Sequence, residues 1–548
     1  MKYDAIIIGG GITGLSIAYR FIDSYKNILL IESTNKLGGR IKTIDDKKNE
    51  LIYEAGAARI SENHTKTLNL IEELELDEEL IELPKDINYI IDNKKKDDII
   101  LKLINDVITN CNKNDENTEN ANYVDNTEKK NEIEDINFFQ LCIDTIGYDK
   151  AELLKNMFGY DAEFMKMNAK AALNLFTEDF GRDTTYYCLK NGLGQLINKM
   201  EKLINREKYI TIKKKEKLLE INNDNTIITD IDTYTYENLI LTIPHKELKQ
   251  ISILNELDIL NAVEEVPLLR IYAKYPLDDD GNIWFKNIKR TITNNYIRHI
   301  IPIDYEKGLI MISYVDSEYA DMWNDSVISN NKQVIDRLHK EIKNLFKIEP
   351  PEPEYIKYYY WSNGLHVWKP GYDPDKLYNQ ILKPFDNELL FICGESYSMK
   401  QGWIEGSLET SYDILEKVKI EDISFNRNIE KKEEMNNNNN TISHRPNDLY
   451  NIYDVIKAKT WVVIELDKKY IYDLSNWIDK HPGGDWAIEN IIEANKYYIK
   501  EGEDEKYLIK PIELFKNGKG SEIHKSKDVL NRFFKKENEY VKKVGILI

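Results

Sequence analysis

The chain begins with a pattern of apolar and polar positions that predicts a strand, a tight turn and a helix. Apolar residues run without interruption from Ala5 to Ile8 and are followed by three glycines. From Leu15 to Ile22, apolar residues recur at the spacing of one helix face, and a second apolar run ends at Glu32. Uninterrupted short runs are typical of buried strands. The pattern therefore predicts a second strand directly after the helix.

The glycines in this turn indicate a dinucleotide site. Gly9, Gly11 and Gly14 stand at G-x-G-x-x-G spacing. Glycine permits the turn, lets backbone N–H groups approach a pyrophosphate and lets the helix pack closely on the strand. Glu32 adds a carboxylate that can accept hydrogen bonds from a ribose. Taken alone, the segment leaves NAD, NADP and FAD open, and also an ordinary structural glycine turn.

Further along, the pattern predicts helices, strands and two long polar segments. Residues 151–172 predict a helix, and residues 209–222 alternate as strands do. Residues 108–134 and 426–450 are charged and rich in asparagine, with too few apolar positions to form a core. They predict a disordered insertion and a flexible linker. The predicted fold class is α/β, with a large domain over 1–425 and a small α+β domain over 451–548.

Composition excludes several functions. The 548 residues carry a net charge of -20, which argues against nucleic acid or an anionic membrane as the main partner. The sequence contains neither a signal peptide nor an apolar run of about 20 residues, so we expect a soluble, cytoplasmic protein. The four cysteines form no C-x-x-C pair, which argues against a zinc site or a disulfide framework. The oligomeric state stays open.

Two motifs at opposite ends of the large domain resemble those of the flavin-containing amine oxidase superfamily. The first is E-x(5)-G-G-R beginning at Glu32, followed by Tyr53–Ile60. The second is Leu390–Glu395 together with Gln401–Ser407. The resemblance implies a Rossmann-type FAD-binding domain interleaved with a substrate domain of mixed sheet and helices. The implied FAD-binding parts are residues 1–80, 190–250 and 385–425, and the substrate-domain parts are 135–190 and 250–385.

The resemblance also implies which residues hold FAD. Glycines expose backbone N–H groups to the diphosphate, and the arginine of G-G-R pairs with phosphate through its fork of donors. The implied cofactor residues are Gly9, Gly11, Ile12, Thr13, Gly14, Glu32, Gly38, Gly39, Arg40, Gly56, Ala57, Ala58, Leu218, Gly394, Glu395, Trp403 and Ile404. Covalent monoamine oxidases carry a cysteine in the region that corresponds to residues 355–390. This chain has none there, so we expect non-covalent FAD.

Three positions are candidates for catalysis or substrate binding. Arg270 stands where many relatives carry a lysine that holds a water beside the flavin, and the resemblance implies that Trp403 is the aromatic residue that faces the flavin. Arg270 could anchor that water but could not act as a base. Arg59 resembles the arginine that pairs with the substrate carboxylate in L-amino-acid oxidases, whose companion tyrosine would fall at Ile300 or Ile301. For Arg270 the alternative is a surface or ion-paired arginine, and for Arg59 it is a structural ion pair near FAD.

The small domain resembles cytochrome b5. An aromatic, apolar segment begins at Trp461 and leads to His-Pro-Gly-Gly at residues 481–484. The resemblance implies haem b, with His481 and His524 as the two axial ligands of the iron. Bis-histidine ligation favours electron transfer over oxygen activation. The alternative is a degenerate domain that no longer binds haem.

Together the resemblances imply an FAD-dependent oxidoreductase that oxidises the C–N bond of a small-molecule amine or amino acid to an imine. Electrons would pass to O2, to another redox partner or to the tethered b5-type haem. One alternative is a desaturase or a dehydrogenase like protoporphyrinogen oxidase, which shares the same FAD motifs. Another is a flavin- and haem-binding electron carrier without catalysis.

Overall fold

The computed structural model divides the chain into two compact units, Met1–Arg427 and Asn428–Ile548. It describes residues 2–22, 24, 26–116, 133–180, 183–329, 331–385 and 389–418, and four short strands between 449 and 547.

Strands and helices are numbered in chain order. The strands are β1 (Lys2–Ile8), β2 (Ile28–Glu32), β3 (Thr43–Asp46), β4 (Leu51–Glu54), β5 (Ile60–Ser61), β6 (Leu80–Glu82), β7 (Ile87–Ile91), β8 (Lys94–Lys96), β9 (Tyr186–Leu189), β10 (Ile210–Lys214), β11 (Leu218–Asn222), β12 (Thr226–Thr229), β13 (Thr233–Leu241), β14 (Val263–Lys274), β15 (Arg290–Thr293), β16 (His299–Asp304), β17 (Leu309–Asp316), β18 (Tyr355–Trp368), β19 (Leu390–Ile392), β20 (Leu449–Tyr450), β21 (Trp461–Glu465), β22 (Lys469–Asp473) and β23 (Lys542–Leu547). The helices are α1 (Ile12–Arg20), α2 (Thr65–Glu73), α3 (Ile100–Glu116), α4 (Phe138–Ile146), α5 (Tyr148–Phe158), α6 (Ala162–Met165), α7 (Ala169–Leu175), α8 (Gly194–Ile204), α9 (His245–Leu248), α10 (Ser252–Asn255), α11 (Ser317–Ser329), α12 (Asn331–Phe346), α13 (Pro374–Leu382) and α14 (Ile404–Lys417).

The first large sheet is built around β1. Its strands follow the order β10-β2-β1-β13-β12-β11, with β19 beside β13. The central strand β1 pairs in parallel with both β2 and β13. Ile6, Ile7 and Leu30 are fully buried, which explains the uninterrupted apolar runs. The predicted order of strand, turn, helix and strand at the start of the chain is confirmed.

The second large sheet follows the order β18-β14-β17-β16-β15-β7-β8. Its long strand β14 pairs in antiparallel fashion with β17 on one side and β18 on the other. This register places Arg270 of β14 between Tyr314 of β17 and Tyr359 of β18. The neighbouring strands β16 and β15 begin with His299 and Arg290. The sheet therefore gathers side chains that are far apart in the sequence.

The helix predicted over residues 151–172 is three shorter helices, α5, α6 and α7. Gly159 ends α5 with a φ of +85°, and a Cβ atom there would lie 2.6 Å from His299 Nε2. An isolated glycine is tolerated in a helical pattern, so the sequence did not reveal this break. The turn after Gly159 delivers Tyr160 and Glu163 to the second sheet.

The polar segment predicted to be disordered begins later than the sequence indicated. Helix α3 continues through Glu116, because Leu103, Val107 and Cys111 are buried along one of its faces. The rest of the predicted insertion, up to residue 132, lies outside the described residues.

In the second unit, the described strands form a four-stranded sheet in the order β20-β23-β22-β21. Strands β21 and β22 are an antiparallel pair, and β20 lies parallel to β23. His481 and His524 lie outside the described residues. Across the described parts of both units, no helix combines the length and the apolar character that crossing a membrane requires.

Candidate active site

The glycine turn between β1 and α1 is held in shape by close backbone contacts. Gly9 has a φ of +112°, and a Cβ atom there would lie 2.6 Å from Thr242 Oγ1. A Cβ atom at Gly14 would lie 2.0 Å from the carbonyl oxygen of Gly9. Gly11 is the N-cap residue of α1 and provides no side-chain cap. The first N–H groups of α1, beginning at Ile12, therefore lack helical acceptors and favour an anion.

Gly38 and Gly39 lie directly against this turn. The N–H group of Gly38 donates to the carbonyl oxygen of Gly10 at 2.8 Å. Both glycines have positive φ values, +112° for Gly38 and +57° for Gly39. A Cβ atom at Gly11 would meet no atom within 4 Å, so this glycine faces open space. We call the concave surface formed by Gly9–Gly14, Gly38, Gly39 and Gly394 the glycine cradle.

Glu32 and Leu218 lie at the same end of the cradle. The carboxylate of Glu32 accepts hydrogen bonds from the N–H groups of Gly10 and Thr34, each at 2.8 Å. Its backbone carbonyl accepts from the N–H group of Glu216, which brings the start of β11 close. Leu218, the first residue of β11, is buried. The two residues implied to contact the adenosine are thus neighbours.

Glu395 joins three segments of the site. Its carboxylate accepts from Arg40 Nη1 at 2.6 Å, from His366 Nδ1 at 2.8 Å and from the N–H groups of His366 and Gly402 at 2.9 and 2.8 Å. Burial opposes ionisation of this side chain, but the charges of Arg40 and His366 hold the pKa of Glu395 well below its usual range. We call this arrangement the Glu395 clasp. His366 is fully buried within it, as a packed histidine.

Residues from the far end of the domain complete the cradle. Gly394 has a φ of +133°, and the nearest atom to a Cβ built there is Thr13 Oγ1 at 3.8 Å. Its N–H group donates to Thr410 Oγ1 at 3.0 Å. Trp403 is the N-cap residue of α14, which begins at Ile404. The second motif therefore meets the first glycine turn across the cradle.

Aromatic side chains form two close pairs in this part of the site, one of which includes Trp403. The ring of Tyr186 lies nearly parallel to that of Trp403, with 6.2 Å between centroids and 12° between planes. Tyr160 and Tyr314 meet edge to face at 5.2 Å. Trp403, Tyr186 and Tyr314 are only half-buried, as expected of side chains that line a space. We call the space lined by Tyr160, Tyr186, Tyr314 and Trp403 the aromatic chamber.

Arg59 lies at the chamber against two of its rings. The guanidinium carbon is 5.3 Å from the ring centre of Tyr186 and 5.5 Å from that of Trp403. Both distances suit cation–π contacts. The predicted substrate residue and the predicted flavin-facing residue are therefore in contact.

Arg270 is anchored to the segment that contains Gly56. Its Nη1 donates to the carbonyl oxygen of Glu54 at 3.1 Å and also to that of Gly56. The guanidinium carbon lies 4.4 Å from the ring centre of Tyr314. Arg270 therefore lies between the chamber and the backbone that leads to Ala57 and Ala58, with no carboxylate bonded to it among the described residues.

A family model of flavin-containing amine oxidoreductases matches residues 12–413, which is well over half of the chain. The chain belongs to the flavin-containing amine oxidoreductase family. The match begins inside the glycine turn and ends inside α14, so it includes the clasp, the chamber and all of the cradle except residues 9–11.

Similarity to individual curated proteins covers only part of each chain. An uncharacterized protein of Acanthamoeba polyphaga mimivirus is 24% identical over 232 residues, covering 37% of this chain and 45% of that protein. A flavin-containing amine oxidase of Danio rerio is 37% identical over 68 residues, covering 12% of this chain and 13% of the oxidase. The chain thus spans less than half the length of these curated relatives.

Two solved structures share the fold. A protein assigned as a protoporphyrinogen oxidase from Exiguobacterium sp. 255-15 superposes with a TM-score of 0.57 at 16% identity, covering 76% of this chain and 98% of the other. A redesigned putrescine oxidase double mutant superposes with a TM-score of 0.59 at 14% identity, covering 76% and 99%. The fold is therefore that of FAD-dependent oxidases.

The residues present fit the cofactor of the family. The cradle offers a helix N-terminus without a side-chain cap, and the open space in front of Gly11 would be filled by any Cβ atom there. These are the features that a pyrophosphate requires. Arg40, at the edge of the cradle, brings a cation to the same place.

Several chamber residues were missed by the sequence analysis. Tyr160, Tyr186 and Arg290 belong to no motif, and each comes from a different part of the chain. The position of the companion tyrosine of L-amino-acid oxidases falls at Ile300 or Ile301. The register of β14 and β17 instead brings Tyr314 to the chamber. A sheet register cannot be read from a single sequence, which explains the omission.

Proposed function

We propose that the chain binds FAD non-covalently and oxidises the C–N bond of a small amine or amino acid. The observation that carries this proposal is the continuity of the cradle and the chamber. Trp403 caps α14 directly beside the cradle, and its ring forms a wall of the chamber. Bound FAD would supply the two-electron oxidation that converts the C–N bond to an imine, which water then hydrolyses.

The chain's own residues would position the two reactants. Backbone N–H groups at Ile12, Thr13 and Gly14, together with Gly39 and Arg40, would hold the diphosphate. Glu32 and Leu218 would hold the adenosine. The residues proposed to lie along the flavin ring are Gly56, Ala57, Ala58, Gly394, Trp403 and Ile404.

Arg270 and the chamber rings would prepare the substrate for oxidation. Arg270 keeps its charge at all working pH values, so it would orient water or electron density rather than accept a proton. Its position is fixed by the carbonyl oxygens of Glu54 and Gly56. Tyr186 and Trp403 would hold the substrate between aromatic surfaces that exclude water.

Anaerobic reduction by candidate substrates tests this function. The purified protein, reduced anaerobically with panels of amines and amino acids, should lose its visible flavin absorption with at least one of them. Bleaching only by non-amine donors would favour the desaturase or dehydrogenase alternative, and bleaching by none would reject the oxidase.

A variant tests the cradle separately. Gly11→Val should fold normally, because no protein atom lies within 4 Å of the added Cβ, yet it should lose the flavin. Retention of the flavin by a folded Gly11→Val protein would place the cofactor elsewhere.

We further propose that the C-terminal unit carries haem b with His481 and His524 as axial ligands. The support is the His-Pro-Gly-Gly segment after the aromatic strand pair β21 and β22. Electrons from the oxidised substrate would then reach O2, a redox partner or this haem.

A further inference from the structure

Two arginines at the chamber lack the partners that other enclosed arginines have. Arg20, Arg40 and Arg298 each pair with a carboxylate, at 2.6, 2.6 and 2.9 Å. Among the described residues, no group accepts a hydrogen bond from the side chain of Arg59 or Arg290. The Nε atom of Arg290 is fully buried without any such partner. A buried guanidinium without an acceptor is costly, which indicates that a ligand completes it.

Arg290 lies on the same side of β15 as Ile292, two residues further on, and Ile292 packs against Gly159, directly before Tyr160 of the chamber. Burial, and next the charge of Arg59, lower the pKa of Arg290. Burial raises the pKa values of Tyr160 and Tyr186, and the charges of both arginines act to lower them. Each arginine remains partly accessible although protein surrounds it, as expected of side chains that line a cavity.

The titratable groups around this pair do not neutralise it. Burial and the charge of Asp316 raise the pKa of Glu163 to about 8, so this neighbour of Arg59 is mostly uncharged at neutral pH. The backbone carbonyl of Asp179 accepts from the Tyr186 hydroxyl, and its carboxylate lies 3.6 Å from His64 Nε2. Burial and the charges of Arg290 and Arg298 lower the pKa of His299 well below its ordinary value, so this histidine is neutral. Neither Glu163 nor His299 therefore alters the positive charge of the two arginines.

We propose that the substrate is an amino acid with a second carboxylate, whose α-carboxylate binds Arg59 and whose distal carboxylate binds Arg290. Arg59 lies against Trp403, so it holds the end of the substrate that reacts. Arg290 begins β15, next to the strand that carries Tyr89, and holds the far end. Two bidentate guanidinium–carboxylate pairs would satisfy the donors that the chain leaves open.

The oxidation itself rests on the proposed function. The Cα–H bond would give a hydride to the flavin and the amine nitrogen would lose a proton. Water would then displace ammonia and leave a 2-oxo dicarboxylic acid. O2 would remove the two electrons from the flavin, forming hydrogen peroxide.

Steady-state oxidation of L-glutamate and L-aspartate should be compared with that of L-glutamine and L-leucine. The intact chain should prefer a dicarboxylate, and Arg290→Gln should lower its kcat/KM about 10- to 100-fold, the worth of a charge-assisted hydrogen bond. The same variant should leave the kcat/KM for L-leucine within about threefold of that of the intact chain. Arg59→Gln should lower the kcat/KM for the dicarboxylic and the other amino acids alike. Arg206→Gln, at an exposed arginine, should change neither value.

Calorimetric titration with glutarate, a dicarboxylate that cannot be oxidised at a C–N bond, separates recognition from catalysis. We expect binding that Arg290→Gln weakens about 10-fold or more and Arg290→Lys partly restores. Glutarate binding that depends on Arg290, without oxidation of any amine, would reject the oxidase and keep only the site for two carboxylates. Oxidation of amines with no glutarate binding, or with equal rates for glutamate and glutamine, would overturn this inference without rejecting the oxidase.

Discussion

Glu395 shows how one carboxylate can organise a cofactor site without having to touch the cofactor. Its four protein hydrogen bonds come from the G-G-R segment, from β18 and from the turn before α14. A carboxylate has about four lone-pair positions, so the protein alone satisfies this one. Its effect on a bound flavin would therefore pass through Arg40 and Gly402, which it fixes in place.

Glu395→Gln should weaken flavin binding and lower stability together. An amide cannot accept from all four donors, and loss of one partner of a buried ion pair costs about 3 to 5 kcal/mol. Because the pKa of Glu395 is depressed in the folded chain, its stabilising effect is present above about pH 4.3 and is lost as the pH falls through the folded value. Urea unfolding at neutral and acidic pH measures this, and the variant should lose part of the acid sensitivity.

Glu73→Gln is the matched control for this prediction. Glu73 pairs with buried Arg20 at 2.6 Å, the same distance as between Arg40 and Glu395. The control should lose comparable stability but retain its flavin affinity in fluorescence titration. If both variants lost flavin to the same degree, Glu395 would have no special role in the cradle.

At the scale of elements, the break after α5 builds one wall of the chamber. Gly159 packs on His299, and the carbonyl oxygen of Gly159 lies 3.1 Å from His299 Nε2. Tyr160 then stacks on the same imidazole with 4.3 Å between centroids. This one turn therefore joins the helices of residues 148–175 to β16.

Gly159→Ala should be markedly more destabilising than Gly281→Ala. Both glycines have positive φ values, +85° and +76°, which cost an alanine about 1 to 2 kcal/mol. Only at Gly159 would the Cβ meet a side chain, His299, whereas none lies within 4 Å at Gly281. Overpacking adds about 1 to 3 kcal/mol, which chemical unfolding can measure. Equal losses would show that the contact with His299 is unimportant.

Local patterns predicted the parts of this fold that depend on neighbours in sequence. The run from Ala5 to Ile8 and the glycines after it predicted β1, the turn and α1, because strand burial and turn geometry are local. Gly38 and Gly394 followed from motifs of the family. Tyr314 and Arg290 could not be found in this way, since their place depends on the pairing of β14 with β17 and of β15 with β7.

At the scale of the whole molecule, the family match and the second compact unit follow one another along the chain. The family model ends at residue 413, and the second compact unit begins at Asn428 with a segment rich in charge and asparagine. A haem in the second unit would give the proposed flavin a one-electron acceptor on the same chain. Such a tether raises the effective concentration of the acceptor and makes transfer independent of protein concentration.

His481→Ala tests whether the two units exchange electrons. The variant should lose the haem absorption and keep the flavin, because the ligand is removed while the cradle is untouched. When substrate is added to the intact chain without oxygen, haem reduction should follow flavin reduction at a rate that does not change on dilution. In the variant, the flavin should be reduced at an unchanged rate and remain reduced until O2 is admitted. Haem reduction that slows in proportion to dilution would reject transfer within one chain, and a His481→Ala protein with an intact bis-histidine spectrum would reject the ligand itself.

A His524→Ala protein serves as the companion variant, because loss of only the second ligand should leave a haem with an open axial position that binds carbon monoxide.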